Sequence, residues 1–214
     1  MRLDWDERAR ENARHYVATA QTDWSDEAYF DSGRLNVFHE ILTDLGNVCQ
    51  NQNAKQMSVL EIGCGSGRIT RALSEVFGLV YAVDVSGEMV QQAKASLHDR
   101  SNAHIFQNNG QDLAVLGDVA IDFAFSYIVF QHIPSRNVIY SYVREVGRLL
   151  RPGGLFKCQV QGDASMDAIQ PDDTWLGVPF SETDAVEMAQ ACGFELRYKI
   201  GAGTQYFWLW LFKR

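Results

Sequence analysis

Residues 59–70 read VLEIGCGSGRIT, an apolar run that ends in three closely spaced glycines and then a helical pattern. This stretch restricts the fold more than any other. Glycine loses more backbone freedom on folding than any other residue, so three at one junction require a turn only glycine can make or a close approach to the backbone. Apolar strand, glycine turn and amphipathic helix form the opening of a βαβ unit, and the rest of the chain can be tested for the same rhythm.

The rhythm continues. MSVLEI reads as a strand, and SGRITRALSEVF as a helix with Ile69, Leu73, Val76 and Phe77 on one face. LVYAVDV is a second strand, and SGEMVQQAKASL a helix with Met89, Val90, Ala93 and Leu97 inward. AHIFQ and VAIDFAFSY are the third and fourth strands. SRNVIYSYVREVGRLL is a helix with Ser135 as its cap, RPGG a turn, and LFKCQVQ the fifth strand. GDASMDAIQPDDTWLGVPF is a long loop, and SETDAVEMAQACGF a helix opened by the capping pair Ser181 and Asp184. FELRYKI and TQYFWLWLFK close the chain as two strands whose short connection makes them antiparallel. Strands separated by helices of this length predict a doubly wound, mostly parallel α/β sheet with helices on both faces.

Residues 1–50 read as a helical cap, with Trp5, Ala9, Ala13, Tyr16 and Val17 on one face and Phe38, Ile41, Leu42 and Leu45 on another. The polar run at 50–53 reads as a linker into a second unit, 51–214. Arg68 and Arg71 read as a solvated helix face.

Composition removes several function classes. The net charge is −8 with no basic run, which argues against a phosphate-tracking nucleic-acid partner. No apolar stretch reaches the ~20 residues that span a bilayer, and the charged N-terminus is unlike a secretory signal. The four cysteines, Cys49, Cys64, Cys158 and Cys192, are scattered without a C-x-x-C pair, which suits a cytoplasmic protein and suggests no metal site.

In an open parallel sheet, ligands sit beyond the carboxyl ends of the strands. The Gly63–Gly67 turn lies there. A dinucleotide fingerprint needs a third glycine where this chain has Arg68, and the phosphate loop of nucleotide hydrolases is missing. Two acids flank the turn. Glu61 precedes Gly63 by two positions, and Asp84 ends the second strand, where a carboxylate can take both ribose hydroxyls. A ribose-bearing ligand other than a dinucleotide is expected.

The E-x-G-C-G-S-G stretch, the acid ending the second strand and the RLLRPGG segment before the fifth strand resemble the class I S-adenosylmethionine-dependent methyltransferases, over roughly residues 57–213. The resemblance implies a seven-stranded sheet whose antiparallel last strand inserts between the fifth and sixth, and S-adenosyl-L-methionine as cofactor. It implies that Gly63, Cys64 and Gly65 touch the methionine part through backbone, and that Glu61 orients the turn or meets the ammonium. Asp84 would hold the ribose, Val85 and Met89 would pack near the adenine, and the backbone of Gly110 and Gln111 would meet it. Ser126 and Tyr127 would lie beside the methionine end. Met89 reads equally as core, and Ser126 and Tyr127 equally as packing.

His132 follows the fourth strand and has the pKa range of a base, with a structural role as the competing reading. No catalytic residue is assigned. Tyr16, His132 and Trp175 are the candidate substrate contacts, under an aromatic N-terminal lid. The segment SYIV after the fourth strand lacks the [DNS]-P-P-[YF] string of amino-methylating DNA enzymes. A small-molecule acceptor remains. The alternatives are a non-catalytic cofactor-binding protein, a protein or RNA methyltransferase, and a nucleotide-dependent oxidoreductase. Neither the acceptor atom nor the oligomeric state is specified by the sequence.

Overall fold

A computed structural model describes residues 1–163 and 174–214. Seven strands form one mixed sheet in the order β3-β2-β1-β4-β5-β7-β6, with helices around it. The chain clusters into two compact units, residues 2–108 and residues 109–214.

In the first unit, β1 (Ser58–Ile62), β2 (Leu79–Asp84) and β3 (Ala103–Gln107) pair in parallel, with Ile62 opposite Val83 and Asp84 opposite Gln107. β1 is buried along nearly its whole length, as expected of a strand covered on both faces. Helices α1 (Arg2–Val17), α2 (Asp26–Glu40), α3 (Leu45–Cys49), α4 (Arg68–Val76) and α5 (Gly87–Ser96) complete the unit. Met89, Val90, Ala93 and Leu97 are all buried, as the helical pattern predicts. Within α1, Asn12 leaves the helical region (φ −163°, ψ 84°), so the predicted first helix is broken in its middle. α2 begins where Ser25 accepts a hydrogen bond from Ala28 N–H.

Two expectations fail in this unit. Phe38 and Leu45 are 51% and 41% exposed, while Tyr29, Gly33, Val37 and Ile41 face inward. The inward face is set by Gly33, where an added Cβ would lie 2.2 Å from the Arg68 carbonyl oxygen. Close approach of α2 to α4 therefore decides which side of α2 is buried. Arg68 is not on a solvated face either. It is 5% exposed and donates to Asn36 Oδ1 and Ser32 Oγ. A buried cation needs such polar partners.

In the second unit, β4 (Ile121–Ser126) and β5 (Leu150–Val160) are parallel, while β7 (Phe207–Lys213) is antiparallel to both β5 and β6 (Phe194–Ile200). α6 (Arg136–Leu149) and α7 (Glu182–Ala191) belong to this unit. β7 is buried almost throughout, whereas β6 is largely exposed. The apolar FWLWLF run is thus shielded by neighbours, and charged Glu195, Arg197 and Lys199 occupy the last strand in the order, where unpaired backbone invites association. Ser181 and Asp184 form the predicted reciprocal capping box. Ser135 precedes α6 but makes no side-chain cap bond. RPGG is no free turn. It lies inside β5 as a bulge, with Ile121 opposite Leu150 and Phe123 opposite Leu155, and Gly153 at φ +73°. Residues 164–173 of the predicted long loop lie outside the described residues.

Candidate cofactor and acceptor site

The turn after β1 is built from left-handed glycines. Gly63, Gly65 and Gly67 have φ of 77°, 52° and 91°, where a Cβ is disfavoured. Space is a second constraint. A Cβ on Gly65 would lie 2.6 Å from Val17 Cγ2, and one on Gly67 would lie 2.7 Å from Leu97 Cδ1. Much of what the backbone approaches so closely is the protein's own α1 and the end of α5. The amides of Gly63 and Cys64 both donate to Val83 C=O, at 2.8 and 3.0 Å, which ties the turn to β2.

Asp84 closes this turn. Its Oδ2 accepts from Gly65 N–H at 2.8 Å and its Oδ1 from Ser86 N–H at 2.9 Å. A carboxylate has roughly four lone-pair sites, so the cupped group retains acceptor capacity beyond these amides. Burial pushes the Asp84 carboxyl up to about 6, against the lowering effect of the Ser86 and Gly65 amides. Glu61 is buried and accepts from Thr70 Oγ1 at 2.6 Å. Burial pushes it up to about 7, with the Thr70 bond opposing. The Cys64 thiol is held well above its ordinary value by burial, so it is no ready nucleophile.

Further hydrogen-bond partners surround these groups. Tyr29 O–H and Ser66 Oγ share a 2.6 Å bond, which sets α2 directly on the turn. Ser86 Oγ accepts from Met89 N–H, capping α5, and donates to Asp6 Oδ1 at 2.7 Å. Asp6 also accepts from Glu88 N–H at 3.3 Å, so a carboxylate from α1 meets the positive end of α5. Burial acts to raise the Asp6 carboxyl, but the Ser86 and Glu88 bonds outweigh it and leave it lowered. Met89 is 1% exposed and packs with Ala9, Ala13, Trp5 and Val17. Val85 is half-buried. Tyr16 lies on α1 with its O–H donating to Glu11, a bond that raises its hydroxyl above the ordinary range.

The remaining candidates lie in the second unit. Gly110 is buried at φ +76°, and Gln111 N–H donates to Asn109 Oδ1 at 2.8 Å. Ser126 is fully buried at the end of β4. Tyr127 stacks on Trp208, with centroids 5.3 Å apart and 11° between planes. His132, 7% exposed, sits in a short 3-10 turn, and its Nδ1 lies 2.6 Å from Trp175 C=O. Sequence reasoning placed Tyr29 only in the aromatic lid and Ser66 only in the glycine turn, without their mutual bond, and missed Asp6 and Ser86. Only Ser86 carried a local signal, as a serine directly before a helical run.

Residues 60–158 match the methyltransferase domain family model. A ubiquinone biosynthesis O-methyltransferase of Xanthomonas oryzae pv. oryzae is 28% identical over 97 residues, 45% of this chain and 39% of that protein. A malonyl-[acyl-carrier protein] O-methyltransferase of Priestia megaterium is 25% identical over 130 residues, 60% of this chain and 44% of that protein. The matches to both relatives therefore span less than half of their length. Magnesium protoporphyrin IX methyltransferase from Synechocystis PCC 6803, solved with bound SAH, superposes with a TM-score of 0.70 at 14% identity, covering 100% of this chain and 98% of that one. The fold is that of this solved methyltransferase, and residues 60–158 are similar to the methyltransferase domain family. The donor set suits the family's cofactor, because a cupped carboxylate offers acceptors to a ribose and a glycine turn offers bare backbone.

Proposed function

We propose that the protein is an S-adenosylmethionine-dependent methyltransferase acting on a small-molecule acceptor in the cytoplasm. The observation that carries this reading is Asp84, held between the amides of Gly65 and Ser86 beside three left-handed glycines. Asp84 takes the ribose hydroxyls, Gly63 to Gly65 face the methionine part, Glu61 steadies the turn, and Val85, Gly110 and Gln111 border the adenine. Ser126 and Tyr127 lie toward the methionine end. Met89 supports this arrangement from the core rather than as a wall. Residues 1–50 act as a cap on the domain at 51–214, and Val17 against Gly65 supports that placement.

When bound, the cofactor supplies an electrophilic methyl group on a good leaving group. The protein supplies position and exclusion of water, which together contribute on the order of 7–11 kcal/mol. Both curated relatives are named as O-methyltransferases, which supports an oxygen acceptor. A hydroxyl must lose its proton, and His132 is the group suited to take it. Tyr16 and Trp175 are assigned to acceptor contact. The acidic net charge supports a partner other than nucleic acid.

Calorimetry with S-adenosylmethionine, S-adenosylhomocysteine and NAD on wild type and Asp84→Ala tests the reading. The adenosyl ligands bind wild type, and Asp84→Ala weakens both about a hundredfold, since hydrogen bonds to a charged group contribute roughly 1.5–3 kcal/mol. NAD binding without either adenosyl ligand overturns it.

A further inference from the structure

Ser86 stands between two carboxylates. It is fully buried, and its N–H donates to Asp84 Oδ1 at 2.9 Å. Its Oγ accepts from Met89 N–H at 3.1 Å, a direction fixed by the amide, which can only donate. The hydroxyl proton therefore needs an acceptor of its own, and Asp6 Oδ1 supplies it at 2.7 Å. A buried hydroxyl deprived of such a partner is costly, so Asp6 decides where Ser86 can sit.

Asp6 reaches this place from α1, 80 residues earlier in the chain. The same Oδ1 accepts from Glu88 N–H at 3.3 Å, so the chain on both sides of Gly87 is held. Only Val85 separates Ser86 from Asp84. A displaced Ser86 thus carries its N–H off the Asp84 carboxylate, which loses one of the amides that aim it. The first half of α1 has other ties to α5. Arg10 Nε donates to Glu88 Oε1 at 3.0 Å, Gln92 Nε2 donates to Ala9 C=O at 3.1 Å, and Met89 packs with Ala9 and Ala13. Those ties dock the helix. The Asp6 bond differs from them in ending on a residue that holds Asp84.

We propose that Asp6 is a positioning residue for the ribose-binding acid: by taking the Ser86 hydroxyl proton it fixes Ser86, whose N–H in turn aims the Asp84 carboxylate at the ribose hydroxyls. Asp6 acts through Ser86 and not by contact with the ligand. What Asp84 binds rests on the methyltransferase reading. How Asp6 reaches Asp84 rests on the bonds themselves.

The test is a pair of ligand-observed NMR titrations, with adenosine and with 2′,3′-dideoxyadenosine, which lacks both ribose hydroxyls. The readout is the ratio of the two dissociation constants. Wild type binds adenosine about tenfold tighter or more, the factor that one hydrogen bond to a charged group supplies. Asp6→Leu is close to aspartate in shape and offers no acceptor, and it lowers that ratio by a factor of about three or more. Ser86→Ala cuts the bridge from its other end and does the same. Asp6→Asn keeps a carbonyl oxygen for Ser86 and retains the ratio. Gln92→Leu removes a tie between α1 and α5 that does not involve Ser86, and it leaves the ratio unchanged. An unmoved ratio in Asp6→Leu or in Ser86→Ala overturns the proposal, so one folded variant suffices. An Asp6→Asn as damaging as Asp6→Leu overturns it too, and so does an equal fall in Gln92→Leu, which would mean that α1 acts only by docking. Wild type that binds neither adenosine nor S-adenosylhomocysteine sinks the methyltransferase reading together with the proposal. Discrimination by wild type that no variant disturbs sinks the positioning role alone.

Discussion

The turn after β1 and the turn after β4 both place backbone in the left-handed region, and they do so by opposite means. The first uses Gly63, Gly65 and Gly67, for which that conformation is intrinsically open. The second uses Ile128, for which it is costly, and recovers the cost through a buried amide 31 residues away. One turn is written locally. The other exists only because β5 brings Gln159 alongside it. A local turn keeps its shape when its neighbours change, while an imposed turn is lost when one distant side chain changes.

The largest effect should come from breaking the local turn. Gly65→Ala puts a Cβ at φ +52° and within 2.6 Å of Val17 Cγ2. Left-handed strain of about 1–2 kcal/mol and overpacking of about 1–3 kcal/mol together predict a loss of roughly 3–4 kcal/mol in chemical denaturation. A loss below 1 kcal/mol would show that α1 yields readily and that the turn is not locally determined.

Next comes the acid under that turn. Glu61 moves from an ordinary 4.5 to about 7 on folding, so the folded state binds its proton more tightly than the unfolded chain does. The sign is the reverse of a salt-bridged acid. The stabilisation is complete below pH 4.5 and is lost as pH rises through about 7. The shift corresponds to roughly 3 kcal/mol, and Asp84, raised to about 6, acts in the same direction. Urea titrations of the free protein across this window should show stability falling with pH, with a clearly shallower slope for Glu61→Gln. Equal slopes would mean that Glu61 is not buried as an acid.

The smallest effect sharpens the contrast. Ile128→Gly relieves about 1–2 kcal/mol of left-handed strain but gives up roughly 0.5–1 kcal/mol of chain entropy and some packing. Stability should therefore change by less than about 1 kcal/mol, against the larger loss at Gly65. A loss near that of Gly65→Ala would show that Ile128 contributes packing that outweighs its strain.

The same contrast explains what could be read in advance. The glycine turn, Asp84 at the end of β2 and the Ser181–Asp184 capping box all depend on neighbours within a few residues or on one strand–turn–helix unit. The inward face of α2 failed because Phe38 and Leu45 satisfy a helical period, while Gly33, with no side chain to signal burial, is the actual contact. Arg68 failed because charge suggested solvent, while Asn36 and Ser32 on α2 supply its partners. RPGG failed because a turn signal in sequence does not distinguish a connection from a bulge within β5.

The sequence by itself determined the alternation of strand and helix, the left-handed turn after β1 and the acid that faces it, because these rest on side-chain periodicity and on glycine's missing Cβ. Only the tertiary structure decided that Asp6 would meet Ser86, Tyr29 would meet Ser66, and Gln159 would reach Ile128 and Gln131. Those pairs lie 80, 37, 31 and 28 residues apart. A hydrogen bond between groups far apart in sequence depends on where packed elements bring them, and no local pattern records that meeting.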